Sequence, residues 1–376
     1  MLRLSVIIPV FMVDDCLADC LDSLLGDPSA DKGGQLEIIA VDDCSPDNSA
    51  SILDAYAAFD SRLKILRTAQ NSGSGPARNL GFASATGDYV WFVDADDQLA
   101  PGAIGAVLRR LGACNPVKRP DVLLVGHEKI TDHDVIQPGD LADLVATAPV
   151  NPADFRLAEW PGIVHYTHTP WTKVVRRRFL ADSNLTFPTG WYTDLPWTYG
   201  LLHRAERIAT LAAVTYRWRQ RRTGSITRTQ SRRHFDVFAQ WERVWADVGE
   251  AVEEPVRSEL FARMAWHLLL VAGNEERLHS RDRQFFFKRA VDMYRQYFPA
   301  HGYRVPGGVN GVKQRLLASG SYPGYAAMRL LWRAWSGTRR SRPQQLAAPS
   351  QQTSHPTLGR ATSRDQPPSP RGRVGA

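Results

Sequence analysis

The sequence lacks any stretch of the roughly 18 consecutive apolar residues needed to cross a bilayer. Cysteine is scarce. The four residues Cys16, Cys20, Cys44 and Cys114 form no Cys-x-x-Cys pair and are too few for a disulfide scaffold, which fits a reducing compartment. No Gly-x-Gly-x-x-Gly follows the first apolar run and no Walker A motif occurs, which argues against a dinucleotide dehydrogenase and a P-loop NTPase. There is no internal repeat. Across 376 residues, 43% hydrophobic and 23% charged content exclude a collagen, a coiled coil or a wholly disordered chain. Arg3 followed by the apolar run Leu4 to Val13 looks like the start of a signal peptide. The run leads straight into Asp14-Asp15 without an Ala-x-Ala site, however, and reads better as a buried strand.

Net positive charge is also nearly absent from most of the chain. Of the net +7, residues 337–376 account for +6, with seven Arg against the single acid Asp365. A body this close to neutral ranks nucleic-acid binding last among the possible functions. The same tail is rich in Pro, Ser and Gln and poor in apolar residues, so it reads as disordered.

What is present over the first 130 residues is alternation. Leu4-Ser5-Val6-Ile7-Ile8-Pro9-Val10 is nearly unbroken apolar, as a strand covered on both faces should be. Asp15 to Leu25 then places Leu17, Leu21, Leu24 and Leu25 on one helical face. The pattern repeats with strands at Leu36–Val41, Leu63–Leu66, Tyr89–Val93 and Val122–Val125, and helices over Asn48–Phe59, from near Pro76, and from Pro101 to Leu111. This spacing predicts a Rossmann-like α/β domain with a mostly parallel sheet and crossover helices. Residues from Asp132 to Arg217 are mixed, with many aromatics and several prolines. From Arg232 to Arg295 the apolar spacing of three and four is helical, and a further helix is expected from Tyr322 to Trp335. The expected organisation is a domain at 1–230, a helical region at 231–336 and a disordered basic tail at 337–376.

In open parallel sheets, ligands bind beyond the carboxyl ends of the strands. Two strands end there in acidic clusters, Asp42-Asp43 and Asp94-Ala95-Asp96-Asp97. Carboxylates this crowded repel one another unless a cation neutralises them. Oxygen donors without His or Cys suit a hard ion, Mg²⁺ or Mn²⁺, which keeps waters and holds substrate phosphates. The bland alternative is a set of solvated strand ends and helix caps. Asn71-Ser72-Gly73-Ser74-Gly75-Pro76-Ala77-Arg78-Asn79 reads as a turn into a helix start, with Arg78 able to reach a phosphate or an acidic neighbour.

Together these motifs resemble family 2 glycosyltransferases of the GT-A fold: Ser5 to Val10, Val41-Asp42-Asp43-Cys44-Ser45-Pro46-Asp47, Asn71-Ser72-Gly73 with Ala77-Arg78-Asn79, and Phe92-Val93-Asp94-Ala95-Asp96-Asp97. The resemblance implies that Pro9, Val10 and Asp42 hold the base and ribose of a nucleotide-sugar, with Asp43 beside them. It places Asn71 and Arg78 on the donor side, puts Asp94 and Ala95 near the ribose, and gives Asp96 a divalent metal bridging the diphosphate. A second block, Trp171-Thr172-Lys173 through Phe187-Pro188-Thr189-Gly190-Trp191-Tyr192-Thr193-Asp194-Leu195-Pro196, resembles members that build bacterial surface polysaccharides and teichoic-type polymers. There Asp194 would be the catalytic base of an inverting transfer, and Thr193 replaces the usual Glu. Arg219 to Thr227, with Arg222 and Ser225, resembles a basic loop closing over the donor phosphates. Relatives usually carry Asn where this chain has Met12. The resemblance covers residues 3–230.

The implied acceptor is a hydroxyl of a cell-envelope glycan, a teichoic-type polymer or a lipid-linked precursor, with UDP-sugar as donor and a cytoplasmic location, peripheral at the inner face of the plasma membrane. Trp171 and Trp191, beside the base motif, are candidate acceptor contacts with Thr193, weighed against a core role. Trp160 and Trp197 read as core. His165 and His168 lack a third ligand and are read as surface or acceptor-groove residues, not a metal pair. Arg176-Arg177-Arg178 is either a solvated face or a lining for a polyanionic acceptor. Cys16 and Cys20, four apart on a helix, read as packing residues. The basic, aromatic segment Met328 to Trp335 and the tail suit docking on an anionic membrane surface, weighed against ordinary helix packing. Two competing readings are a non-catalytic nucleotide- or glycan-binding relative, disabled at Thr193 and Met12, and a nucleotidyltransferase, which would release pyrophosphate.

Overall fold

The structure is a computed structural model and describes residues 2–28, 34–131, 135–220 and 229–340. The elements run β1 Leu4–Val10, α1 Leu17–Leu25, β2 Leu36–Asp42, α2 Ser49–Phe59, β3 Leu63–Arg67, α3 Ser74–Ser84, β4 Tyr89–Phe92, β5 Gln98–Leu99, α4 Ala103–Gly112, β6 Val122–Ile130, β7 Val135–Pro138 and α5 Leu141–Ala146. They continue with β8 Lys173–Arg176, α6 Arg177–Asp182, α7 Asp194–Arg204, β9 Ile208–Arg219, α8 Asp236–Val244, α9 Glu254–Gly273, α10 Ser280–Gln296, α11 Gly308–Ser319 and α12 Tyr322–Arg340. Residues 1–329 form one compact unit.

The sheet has nine strands in the order β3-β2-β1-β4-β8-β6-β9-β5, with β7 on β6. β3, β2, β1 and β4 are parallel neighbours, as the alternation predicts. Beyond β4 the sheet becomes mixed. β8 inserts antiparallel between β4 and β6, and β5 runs antiparallel to β9. The expected fifth strand therefore never meets the fourth, because β8 from the aromatic segment takes that edge.

Side chains alternate across the sheet and divide the core in two. Val6, Ile8, Val10, Ile38, Ala40 and Trp91 face α1, α2 and α4, represented by Leu17, Leu21, Leu53 and Val107. Ile7, Ile39, Val41, Val90 and Phe92 face the other side, with Ala77 of α3, Leu195 and Trp197 of α7, and Trp241, Phe261, Leu268 and Phe286 of the helical region. Each central strand is buried on both faces, which accounts for its unbroken apolar run. Gly81 lets α3 lie close on the sheet: a Cβ there would lie 2.4 Å from Ile7 Cγ2.

The later helices follow the predicted spacing, with a π-helical turn at Trp245–Gly249 between α8 and α9. α12 continues to Arg340, past the expected helix end near Trp335, and residues 341–376 of the expected disordered tail lie outside the described residues. No helix among the described residues is long and apolar enough to cross a membrane.

Candidate active site

The register of the parallel strands builds the first part of the site. Pro9 pairs with Val41 and Val10 with Asp42, while Asp42 pairs with Arg67 on β3. The Val93 amide donates to the Ile7 carbonyl at 3.0 Å, so Asp42, Asp43 and Asp94 emerge along one sheet edge. Asp42 is buried and accepts from the Ser45 amide at 3.0 Å. Asp43, also buried, is occupied by the protein itself. Its carboxylate accepts from Thr68 Oγ1 (2.8 Å), the Ser72 amide and hydroxyl (3.0 and 2.9 Å) and the Gly73 amide (2.7 Å). It thereby shapes the loop carrying exposed Asn71, and Gly73 supplies that loop with φ +93°, where a side chain would be strained. Met12 and Cys44, just past β1 and β2, also have positive φ, at 53° and 60°. Asn tolerates this conformation better than Met, so the departure at Met12 carries local strain besides losing a polar group.

Asp94, Asp96 and Asp97 each place a carboxylate oxygen within 4.8 Å of the others. Asp97 is buried and accepts from Tyr216 Oη at 2.5 Å and from the Arg219 amide at 2.7 Å. Burial, with Asp96 and Asp94 close by, pushes its carboxyl well above the usual range. Asp94 pairs with Arg78 Nη2 at 2.6 Å. Ala95 between them is buried in the core. Asp97 is thus tied to β9 and Asp94 to α3, while Asp96 lies half-buried at the edge. An all-oxygen donor set with this much concentrated negative charge fits a hard divalent cation.

The second part of the site is the turn leading into α7, clamped from two sides. From α3, Asn79 exchanges two hydrogen bonds with the backbone of Phe187: Nδ2 to O at 2.8 Å, and the Phe187 amide to Oδ1 at 2.9 Å. A Cβ at Gly75 would lie 2.6 Å from the Pro188 carbonyl, so only glycine permits this approach. From α8, Asp236 Oδ2 accepts from the Trp191 amide at 2.9 Å and Gln240 Nε2 donates to the Thr189 carbonyl at 3.1 Å. Between the clamps the backbone is strained, with φ 60° at Tyr192. The result is Asp194 at the first position of α7. Burial pushes its carboxyl up to about 6, opposed by the charges of Arg78 and Lys173 and by its own helix-terminal backbone. Arg78 therefore links the two parts, paired with Asp94 and acting electrostatically on Asp194. Its guanidinium also lies 5.4 Å over the Phe187 ring.

The remaining expected residues divide. Trp171 is 2% exposed and stacks on Tyr216 at 4.3 Å, so its ring is core and does not face an acceptor. Trp160 and Trp197 are buried as well. Trp191 is half-buried, with Arg233 5.3 Å over its ring. Thr193 is buried beside Asp194. Arg219 has its guanidinium on Asp19 of α1 at 2.6 Å. Arg222 and Ser225 lie outside the described residues. His165 pairs with Glu259 at 2.6 Å, away from His168. Arg178 is exposed, whereas Arg176 pairs with buried Asp121 and Arg177 caps the Gly87 carbonyl.

Four residues of the site were not singled out by pattern: Asn79, Tyr216, Lys173 and the role of His168. Lys173 is fully buried and donates to the Thr167 and Thr169 carbonyls and to Thr172 Oγ1 at 2.6, 3.0 and 2.6 Å. Burial lowers it to about 7, with Asp194 the principal opposing charge. His168 reaches Asp194 Oδ2 at 3.4 Å. The Trp171-Thr172-Lys173 and Ala77-Arg78-Asn79 motifs carried a signal for Lys173 and Asn79, His168 was weighed only as a surface or acceptor-groove residue, and nothing pointed to Tyr216.

Residues 5–117 match the family model described as glycosyl transferase family 2. The glycosyltransferase EpsJ of Bacillus subtilis is 30% identical over 220 residues, 57% of this chain and 60% of EpsJ. The poly(ribitol-phosphate) beta-N-acetylglucosaminyltransferase TarS of Staphylococcus aureus is 28% identical over 228 residues, 60% of this chain and 36% of TarS. These alignments span less than two thirds of either relative. In three dimensions, S. aureus TarS 1–349 in complex with UDP superimposes with a TM-score of 0.65 at 19% identity, covering 89% of this chain and 92% of that one. That likeness shows the shared GT-A architecture, a curled mixed sheet followed by helices. Its donor-side motifs lie on residues 5–117, the segment that matches glycosyl transferase family 2.

Proposed function

We propose that this protein is an inverting glycosyltransferase that moves a sugar from a UDP-sugar to a hydroxyl of a cell-envelope glycan, a teichoic-type polymer or a lipid-linked precursor. The observation that carries the reading is Arg78, which pairs with Asp94 at the acidic strand end and acts electrostatically on the half-buried carboxylate of Asp194. A donor diphosphate at the first and an acceptor hydroxyl at the second is the arrangement a single displacement requires. The TarS structures hold UDP and UDP-GlcNAc, which favours a uridine donor here.

Pro9, Val10 and Asp42 line the strand ends where the nucleoside sits, and Asp43 holds the Asn71 loop against it. Asp96, backed by Asp94, would hold a Mn²⁺ or Mg²⁺ ion. Such an ion offsets charge on the departing nucleoside diphosphate. Asp194 takes the acceptor proton, the acceptor oxygen bonds to the anomeric carbon, and the bond from that carbon to the phosphate oxygen breaks with its electron pair leaving on the diphosphate. Inversion follows from the single displacement. A base near pH 6 suits general-base work, ionised at neutral pH yet basic enough to accept a proton.

The site takes up UDP or a UDP-sugar in the folded state only, so binding should raise the melting temperature by mass action. A Mn²⁺-dependent rise with UDP, lost in Asp96→Ala, is the expected result; no rise with any nucleotide would overturn the reading. The same reading places the protein in the cytoplasm, consistent with four free cysteines. It adds a peripheral contact with anionic membrane through the basic C-terminal helix and tail. Deleting residues 337–376 should then weaken binding to anionic vesicles, and unchanged binding would remove that contact.

A further inference from the structure

His168 and Arg263 stand behind Asp194 and have no part in the displacement just described. His168 Nδ1 lies 3.2 Å from Arg263 Nη2 of α9. A guanidinium has only protons to offer, so Nδ1 must accept and the ring proton of a neutral imidazole resides on Nε2. That nitrogen is the one 3.4 Å from Asp194 Oδ2. The ring is fixed in place: Thr198 Oγ1 of α7 donates to the His168 carbonyl at 2.5 Å, and the His267 ring lies 5.3 Å away. Arg263 is itself pinned, with its guanidinium 4.4 Å over the Trp266 ring. The contact at 3.4 Å is long for a hydrogen bond, and catalytic contacts of this kind tighten when substrate is bound.

We propose that His168 is the positioning residue of the base, with Arg263 fixing its tautomer so that Nε2–H holds one oxygen of Asp194 and leaves the other for the acceptor hydroxyl. This rests on the reading of Asp194 as the base. It brings the helical region into the chemistry, since Arg263 lies on α9, far in sequence from the family-matching segment at 5–117. No proton moves along the chain of three. The imidazole stays neutral, because burial and the charges of Arg263, His267, Lys173 and Arg277 hold it well below the usual histidine range. Asp194 is faced in turn by Arg78 from α3, Lys173 from β8 and Asp94 beyond β4, so His168 modulates a carboxylate whose field is set mainly by others.

The test uses the full chain and needs no identified acceptor. Imidazole nitrogen NMR, with His168 assigned through His168→Gln, should show a neutral ring protonated on Nε2 from pH 5.5 to 8. The Asp194 carboxyl, assigned through Asp194→Asn, should titrate about one pH unit higher in His168→Ala, because a donor to the ionised form is lost. His168→Gln carries an acceptor and a donor at similar spacing and should restore the original midpoint. A ring protonated on Nδ1, or one Asp194 midpoint shared by the wild type, His168→Ala and His168→Gln, would overturn the proposal. The underlying reading is judged separately by UDP release from UDP-GlcNAc. Turnover retained in Asp194→Asn would sink the base assignment while leaving the titration result standing.

Discussion

The two ends of the parallel strands bury carboxylates in opposite ways. At the amino end Glu37 of β2 is 1% exposed, yet it is surrounded by donors: Ser5 Oγ at 2.5 Å, the Thr86 amide and hydroxyl at 2.6 and 2.8 Å, the Gly87 amide at 3.0 Å, and Lys64 at 3.2 Å. Burial alone would raise its proton affinity, but these donors outweigh it and hold the carboxyl down at about 2. At the carboxyl end Asp97 is buried and Asp194 half-buried, and there desolvation wins: Asp194 rises to about 6 and Asp97 goes well above its usual range. Glu37 has its charge satisfied and gains stability, and so does Asp43 at the carboxyl end, whereas Asp194 and Asp97 keep carboxyls whose charge burial disfavours.

The largest expected effect comes from removing the proposed base. Asp194→Asn should lower turnover by about 10³-fold, the scale of general-base catalysis, with donor affinity unchanged in calorimetry. Its stability should move the other way. A carboxyl whose proton affinity rises on folding binds more protons folded than unfolded between about pH 4 and 6, so its contribution is lost as pH rises through that window. Above pH 6 Asp194→Asn should therefore be about 1–2 kcal/mol more stable than the wild type in urea titrations. Wild-type turnover should show an acid limb near pH 6, far from the pH at which the fold fails.

Glu37 supplies the contrast. Its carboxyl is lowered on folding, so its contribution is present above about pH 4 and lost as pH falls toward 2. Glu37→Ala takes the acceptor from the Ser5 hydroxyl and the Thr86 amide, while the Gly87 amide keeps Ser5 Oγ, and it should cost about 3 kcal/mol, with turnover per folded molecule unchanged. Equal losses of activity and stability at both ends would erase the distinction drawn here.

How much of this was legible in the sequence follows the same division. β1, β2 and β4 were readable because burial on both faces leaves a continuous apolar run, the edge strand β3 because it falls in the same alternation, and the acidic strand ends because their charge breaks the run. β8 and β9 were not. Lys173-Val174-Val175-Arg176 is too short to announce itself, and the alternation of Ile208 to Arg219 is blunted by small alanines; long-range pairing decides both. Residue type could not separate Asp43, consumed by its own loop, from Asp96 at the open edge. Nor could it tell Trp171, stacked inside the sheet, from Trp191 at the surface. The contact of His168 with Asp194 depends on Arg263, almost a hundred positions away, and no local pattern carries it.

The smallest effects should come from two hydroxyls that do the same job at opposite ends. Ser5 Oγ donates to Glu37 and accepts from the Gly87 amide at 2.8 Å. Tyr216 Oη donates to Asp97 and accepts from the Asp94 amide at 3.2 Å. Ser5→Ala leaves the Gly87 amide on Glu37 alone, Tyr216→Phe strands the Asp94 amide, and both weaken one buried carboxylate, so each should cost about 1–2 kcal/mol in denaturant midpoints. Their effects on the ligand should differ. Ser5→Ala leaves the Mn²⁺-dependent UDP shift intact, because Glu37 lies at the far end of the strands. Tyr216→Phe loosens the Asp94–Asp97 turn and should raise the Mn²⁺ concentration at half-maximal shift by about three- to tenfold, the equivalent of roughly 1 kcal/mol. The same Mn²⁺ midpoint in both variants would mean that the turn holding Asp96 is set by the backbone alone, and that the hydroxyl on β9 serves only the fold.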